Sequence, residues 1–440
     1  MISLDVSTIS LLIGISFLVL MASGFPIAFA MLTVATVGYL VFVGPQALDA
    51  LFPILFSTVT TDIFIAIPLF IFMASVFQVS GIGERMYEAM YKWMAGLRGG
   101  LAIGTVIICT VIAAITGLVA TGTIMMGMLA YPEMRKRGYD KGIAIGSIIA
   151  GGCLGPLIPP SVPMIIISGL TGVSSGKLFI SGVMPGLICS FLFCAYIGIR
   201  CFYNKSLAPS IPIDQRANWR DKFGSLGGLL FPILLILLVL GGIYAGAFTP
   251  SEAGAIGAAG ALISTAILGN LTWKNVSSAV TITFRANAMV LWLGITGVTI
   301  SSLTGITGVK NFVGGFLVGL PMGPYGILLI MLIIVFIMGC FLDSLAIIMI
   351  TLPIMMPVAV QLGFDPLWFA LLFIFNIIIG MLTPPFGYTL FYFKGLGHAD
   401  VSMMDIYKSA GIFVICMAIC LVLCIVFPQI PLWLPNKMIR

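Results

Sequence analysis

Charge is what this chain has least of: 8% of its 440 residues are Asp, Glu, Lys or Arg, while 60% are hydrophobic. With a mean hydropathy of +1.21, that balance excludes a soluble domain and places the chain in a bilayer. Histidine occurs once, at His398, which leaves little material for a histidine-held metal or a Ser-His-Asp triad. No Gly-x-x-x-x-Gly-Lys-Ser/Thr loop is present, so a nucleotide-driven pump lacks its phosphate cradle. Asp343 is the only carboxylate deep in an apolar run, whereas an intramembrane aspartyl protease needs two. The nine cysteines lie mostly inside apolar runs. Cys416, Cys420 and Cys424 are spaced one helical turn apart, but with no histidine or carboxylate beside them they read as small apolar helix residues. The first apolar run, 9–22, has no basic segment before it and no small-residue cleavage site after it, so a retained span is expected. The net charge of +6 sits in loops and reports membrane orientation rather than a nucleic-acid partner.

What the chain does have is a weak copy of itself about 225 residues downstream. Pro132, Pro159 and Pro160 recur as Pro357, Pro384 and Pro385. Gly138-Tyr139-Asp140 recurs as Gly363-Phe364-Asp365, and Gly155-Pro156-Leu157-Ile158-Pro159-Pro160 as Gly380-Met381-Leu382-Thr383-Pro384-Pro385. Glycine- and proline-broken apolar segments at matching places in two halves point to a transporter binding site.

The apolar runs predict spans near 4–23, 26–44, 55–79, 177–200, 229–247, 250–268, 285–303 and 408–428. Two more, 141–172 and 366–396, are broken at Pro-Pro. The stretches 99–133 and 324–358 are too long for one span and polar midway, at Thr116-Gly117 with Thr121-Gly122-Thr123 and at Asp343-Ser344. Each reads as a hairpin that enters and leaves on one side. The reading is an all-α polytopic membrane protein with ten spans and two re-entrant hairpins. The first inverted repeat covers 1–215, residues 216–228 end a cytoplasmic linker, and the second repeat covers 229–440.

Equivalent loops differ in charge. Arg135, Lys136, Arg137 and Lys141 fill one loop, and its counterpart, 359–366, has no basic residue. The segment 84–98 holds Arg85, Lys92 and Arg98, while 308–323 holds only Lys310. By the positive-inside rule the halves are inverted. The linker with Arg200, Lys205, Arg216, Arg220 and Lys222 is then cytoplasmic and both termini are outside; Lys437 and Arg440 run against that placement. Segment 84–96 is amphipathic, with Met86, Met90, Trp93 and Met94 opposite Arg85, Glu88 and Lys92, as expected of a helix lying in the cytoplasmic interface.

A backbone break at membrane depth leaves N–H and C=O groups that lipid cannot satisfy. The first break, Gly151 to Ser161, frees carbonyls suited to Na⁺ and a half-helix N-terminus suited to a carboxylate. The second, Gly380 to Gly387, adds Thr383. Two copies predict two cation sites about a pseudo-two-fold axis. Asp343 costs on the order of 2.5–3.5 kcal/mol to insert and is a functional candidate for that reason. It can also cap a helix starting at Ser344. Glu252, in Thr249-Pro250-Ser251-Glu252, reads as part of a helix start.

At these residues the chain resembles the large membrane subunit of tripartite ATP-independent periplasmic (TRAP) transporters. The matching stretches are Ala150-Gly-Gly-Cys-Leu-Gly-Pro-Leu-Ile-Pro-Pro-Ser161, Phe248-Thr-Pro-Ser-Glu-Ala-Gly-Ala255, Gly380-Met-Leu-Thr-Pro-Pro-Phe-Gly387, Leu97-Arg-Gly-Gly100 and Arg137-Gly-Tyr-Asp-Lys141. The resemblance implies an elevator-type, Na⁺-coupled importer of a small organic acid in a bacterial or archaeal inner membrane. It implies a small four-span membrane partner, a periplasmic substrate-binding protein and no organic cofactor. The implied substrate contacts are Thr116, Gly117, Thr121, Ser161, Asp343 and Asn376. The implied Na⁺ ligands are Thr116, Gly155, Ile158, Pro160, Asp343, Gly380, Thr383 and Pro385. The stretch from Phe386 to Lys394 resembles a branch that handles 2-oxo or hydroxy acids; C4-dicarboxylates and sugar acids are the other classes. Asn376 stands where many relatives have an acidic residue, and Thr116-Gly117 where Ser-Gly is usual. The rival readings are a stand-alone divalent-anion/Na⁺ symporter and, from other classes, an intramembrane hydrolase or a channel.

Overall fold

With no water at membrane depth, a spanning backbone must bond to itself, and this chain does so as helices. The computed structural model describes residues 5–210 and 216–438. Residues 211–215, which hold the expected end of the first repeat, lie outside the described residues, as do the start of the span expected from residue 4 and Arg440. Among the described residues there is no strand.

The first half runs α1 (Val6–Ala22), α2 (Ile27–Gly38, continued by a π turn Tyr39–Val43), α3 (Ala47–Val59), α4 (Asp62–Val79) and α5 (Ile82–Met94). It continues through α6 (Gly100–Thr116), α7 (Val119–Lys136), α8 (Lys141–Cys153), α9 (Val162–Thr171) and α10 (Ser175–Tyr203). The second half runs α11 (Trp219–Ser225), α12 (Gly227–Tyr244), α13 (Pro250–Ile267), α14 (Trp273–Ile306) and α15 (Val309–Val318). It ends with α16 (Pro324–Phe341), α17 (Ser344–Gln361), α18 (Pro366–Met381), α19 (Tyr388–Lys394), α20 (Met403–Val426) and α21 (Gln429–Asn436). Six of these helices are long and apolar enough to cross a membrane, or seven if the α3–α4 pair, bent by 46°, counts as one span. The other expected spans are shorter apolar helices, such as α1, or are divided at their breaks; the span expected at 250–268 is the unbroken 18-residue α13, which is not among the six.

The helix order repeats: α5 to α10 recur in sequence as α15 to α20. The repeated Gly-Tyr/Phe-Asp motif has a local cause. Gly138 and Gly363 take φ of 78° and 84°, the left-handed turn that ends a helix and that suits glycine. Two residues on, Asp140 caps α8, accepting from Gly142 N–H at 2.9 Å. Asp365 caps α18 in the same way, accepting from Leu367 N–H at 2.8 Å. The copies differ in one place: α3 and α4 together correspond to the single 34-residue α14. The expected span 55–79 is therefore α4 plus the end of α3 rather than one straight helix.

Packing crosses between the halves. Helix α4 lies against α13 and α14, and α14 against α2, which makes one helical body. In each half the first hairpin helix packs on the broken helix, α6 on α8 and α16 on α18. Other contacts cross between the halves: α7 packs on α19, α9 on α17, α8 on α20 and α10 on α18. Ion pairs join the end of α7 and the start of α8 to the loop that follows α19 and the first turn of α20. Arg135 Nε lies 3.4 Å from Asp400 Oδ2 and Lys141 Nζ 3.9 Å from Asp405 Oδ2. The Tyr131 hydroxyl donates to Asp400 at 2.8 Å. Desolvation pushes the Asp400 carboxyl up, but Tyr131, Lys141 and Arg135 outweigh it and hold it below its ordinary value. His398 sits in the same loop, its ring 4.6 Å from that of Tyr131.

The amphipathic segment is α5, with Met86 and Ala89 buried, and Lys92 bonded to Glu88 at 2.6 Å. Helix α14 extends beyond the expected 285–303, and α15 and α21 were not anticipated as helices. Glu252 forms a capping box with Thr249 at the start of α13. Lys437 stands over the Trp433 ring at 4.4 Å.

Candidate functional site between two hairpin tips and two breaks

The two polar interruptions of the long apolar stretches are helix breaks in space. Helix α6 ends at Thr116 and α7 begins at Val119; α16 ends at Phe341 and α17 begins at Ser344. The Pro-Pro segments separate α8 from α9 and α18 from α19. Both Pro-Pro bonds, Pro159-Pro160 and Pro384-Pro385, are cis.

All four interruptions converge. A cavity of about 200 Å³ is lined by Gly117, Leu118, Val119 and Ala120 from the first tip and by Asp343, Ser344 and Leu345 from the second. Pro156 and Met381 come from the two broken segments, Val162 and Pro163 from the start of α9, and Tyr392 from α19. Ile71 of α4 and Ala286, Met289 and Val290 of α14 close the opposite wall. Apart from Asp343 the lining is largely apolar, so this carboxylate is its one formal charge.

Asp343 combines the two roles considered for it. Its Oδ2 accepts from Leu345 N–H at 3.0 Å, capping α17, and the residue borders the cavity. Gly117 takes φ of 61°, and a Cβ there would lie 2.1 Å from the Pro160 carbonyl oxygen. The first tip is thus pressed against the first break, backbone to backbone. Gly155 makes the same kind of approach from the other side: a Cβ on it would meet Leu118 backbone atoms at 2.7 Å. In the second copy Gly387 N–H donates to the Cys340 carbonyl at 3.1 Å, tying the second tip to its own break.

Several expected contacts are engaged internally. The Thr116 hydroxyl donates to Ile112 O at 2.9 Å. Ser161 donates to Pro156 O at 2.7 Å and caps α9 through Met164 N–H. Thr121 is buried in the first turn of α7. Asn376 does not reach the cavity; its Nδ2 donates to Leu332 O at 2.5 Å and locks α18 to α16. Gly380 lies inside α18, where a Cβ would meet Gly339 Cα at 2.7 Å, and its carbonyl accepts Thr383 N–H at 2.9 Å. Thr383 Oγ1 donates to Ile379 O at 2.7 Å. The Pro385 carbonyl accepts the Tyr407 hydroxyl at 2.5 Å.

The donor set for a hard cation is therefore unequal in the two copies. Among the described residues no backbone N–H bonds the carbonyls of Gly155, Ile158 or Pro160, and such oxygens suit Na⁺. In the second copy the Gly380 and Pro385 carbonyls already have partners, so the fit there is narrower. Thr123 and Thr389 are fully buried, and their hydroxyls have no hydrogen-bond partner in the described structure; α7 and α19, which carry them, pack together. Among the described residues no group of three or more His, Cys, Asp or Glu side chains is placed to hold a metal. The residues missed from sequence are the wall of α4 and α14 and Tyr392. Met289 and Val290 are ordinary apolar helix residues, and only the position of α14 in the repeat could have marked them.

Residues 14–430 match the family described as "Tripartite ATP-independent periplasmic transporter, DctM component". The C4-dicarboxylate TRAP transporter large permease protein DctM of Rhodobacter capsulatus is 30% identical, covering 95% of this chain and 96% of that one. The ectoine/5-hydroxyectoine TRAP transporter large permease protein UehC of Ruegeria pomeroyi is 28% identical, covering 96% and 97%. In fold the chain is similar to the Alcanivorax borkumensis YdaH transporter, with a TM-score of 0.58 at 12% identity, covering 96% of this chain and 99% of that one.

Proposed function

This chain belongs to the DctM component family of tripartite ATP-independent periplasmic transporters, and from that premise we propose that it imports a small organic acid across the inner membrane by Na⁺ symport. It is a multi-pass large permease subunit, not an enzyme. The observation that carries the proposal is the cavity of about 200 Å³ where both tips and both breaks meet around Asp343. Its volume suits a small solute rather than a drug-sized ligand, whose sites run to about 300 Å³ and above. The Gly155, Ile158 and Pro160 carbonyls would hold Na⁺. When bound, Na⁺ supplies positive charge that offsets a substrate carboxylate beside Asp343. The protein residues orient the solute: the backbone of Gly117 to Ala120 forms one side and Tyr392 the other, and the apolar wall of α4 and α14 excludes water. The substrate arrives from a periplasmic binding protein, and a small four-span subunit completes the membrane complex. A 2-oxo or hydroxy acid or a C4-dicarboxylate is the substrate class.

The moving body comprises the hairpins α6–α7 and α16–α17, the broken helices, α10 and α20. Apart from α5 and α15, the remaining helices, α4, α13 and α14 among them, form a static scaffold. In this elevator scheme α5 and α15 are the arms between the two bodies. The exchanged contacts between α7 and α19 and between α9 and α17 support inverted halves. So does the pairing of Lys141, at the start of the first broken helix, with Asp405, beyond the end of the second.

Uptake into proteoliposomes is expected to require an inward Na⁺ gradient, the small subunit and the loaded binding protein. ATP-dependent uptake indifferent to Na⁺ would refute the symport assignment. For the topology, single cysteines in a Cys-free background should label at position 138 from the cytoplasmic side and at position 363 from the periplasm. Labelling of both from one side would rule out inversion.

A further inference from the structure

The substrate cavity is not the largest in the molecule. A cavity of about 780 Å³ lies between α5, α11 and the start of α12, lined by Arg85, Glu88, Lys92, Arg220, Asp221 and Phe231 among others. Glu88 is spent on Lys92, at 2.6 Å. Arg85 is anchored through Nη2 to the Leu268 carbonyl at 3.4 Å, a neutral partner that leaves its charge uncompensated. Arg220 and Asp221 come from α11, which Trp93 of α5 holds in place by donating to the Lys222 carbonyl at 3.0 Å. Beside the opening stands an aromatic cluster. Trp93 meets Trp219 edge-on at 6.3 Å and Phe223 at 5.6 Å, and Lys222 lies 4.9 Å over the Trp219 ring. Trp219 and Phe223 are nonetheless 68% and 60% exposed. Exposed Leu230, Leu234 and Leu237 continue up α12 from this end.

Basic side chains at the mouth, exposed Trp and Phe at its edge and an exposed leucine stripe running away from it match an amphiphile in three zones. The charges suit a phosphodiester, the aromatics the headgroup boundary and the leucines an acyl chain. Soluble phosphate accounts for the arginines but not for the other two zones. We propose that this cavity seats the headgroup of a cytoplasmic-leaflet phospholipid, with Arg85 and Arg220 on its phosphate and Asp221 on a headgroup hydrogen-bond donor. A donor-bearing headgroup, ethanolamine or glycerol, is therefore favoured over choline, which has none. The lipid would pin α5 and α11 to the membrane surface. The assignment rests on the membrane placement given above but not on the substrate or the coupling ion.

The test is native mass spectrometry of the full chain in detergent, titrated with phosphatidylethanolamine, phosphatidylglycerol or phosphatidylcholine, with no partner subunit or transport substrate present. Retention of the first two is expected to exceed that of the third. Each arginine removed is expected to weaken retention about fivefold. Arg85→Gln with Arg220→Gln should therefore weaken retention of all three lipids, on the order of 25-fold, and the Lys versions of both should keep most of it. Arg220→Gln alone, on the short exposed α11, provides the reading should the double variant fail to fold. Glycerol 3-phosphate in excess should not displace the lipid. Three results overturn the proposal: unchanged retention by the Gln variants, equal retention of choline lipid, or displacement by glycerol 3-phosphate, which would make the site one for a soluble phosphate. Because uptake is not measured, failure here is separate from failure of the transport reading.

Discussion

Asp343→Asn is expected to insert and fold normally and to lose transport, with uptake falling on the order of 100-fold in reconstituted complexes. The expectation follows from the two roles that one side chain holds. Asp343 caps α17 through Leu345 N–H, and Asn caps about as well as Asp, so the start of the helix survives. Insertion becomes easier, because the cost of burying a charge, on the order of 2.5–3.5 kcal/mol, is removed. What the variant lacks is the negative charge on the cavity wall. Wild-type uptake at normal expression would leave Asp343 with capping alone and would remove it from the transport site.

Gly117→Ala has the second large expected effect, on both fold and transport. At φ of 61° an L side chain pays roughly 1–2 kcal/mol for the left-handed backbone. The Cβ would also stand 2.1 Å from Pro160 O and 3.0 Å from Ser161 Cα, backbone atoms that cannot swing aside. Overpacking of this kind adds about 1–3 kcal/mol. The tip must separate from the break, which opens the wall formed by residues 117–120. Gly172→Ala is the control: its φ of 72° carries the same backbone penalty, but nothing lies within 4 Å of its Cβ. Thermal unfolding in detergent, read beside uptake, should show the Gly117 variant clearly less stable than the Gly172 variant and inactive. Equal behaviour of the two would mean that the close approach of tip to break is not part of the working structure.

The parts legible in the sequence were those with a backbone cause. Proline pairs, left-handed glycines and capping aspartates act locally: the Pro-Pro motifs mark breaks that lie where they are expected, and the Gly-Tyr/Phe-Asp copies, legible in the sequence only as a repeat, are helix ends followed by caps. The bend between α3 and α4 was hidden, because an apolar run with Asp62 inside it looks the same whether straight or broken. Helix α15 carries two adjacent glycines, Gly314 and Gly315, and α21 carries Pro431 and Pro435; both dilute the pattern that marks a helix. Within the site, residues on the tips could be named, but the direction of each hydroxyl could not. Thr116 bonds to the carbonyl four residues back, a choice made by helix geometry, and Ser161 to the Pro156 carbonyl across the turn of the break. Asn376 is a substrate contact only as the family resemblance implies, standing where many relatives have an acidic residue. It binds Leu332 O on a neighbouring helix instead, and only tertiary packing could show that.

The exchanged packing of α7 on α19 and α9 on α17 bears on how the protein is made. A ribosome delivers the N-terminal half first, with α7 and α9 complete while their partners are still unsynthesised. Until α17 and α19 arrive, α7 has α6 and α8 and α9 has α4 and α10, but the face of each that meets the second half is uncovered and must shelter against lipid, the insertion machinery or one another. Assembly of this molecule therefore waits on its last third, and long-range pairing of that kind is slow and exposed to error. A premature stop or a stalled ribosome after α14 would leave a scaffold in the membrane with an unfinished interior, a natural target for the membrane proteases that clear orphaned segments.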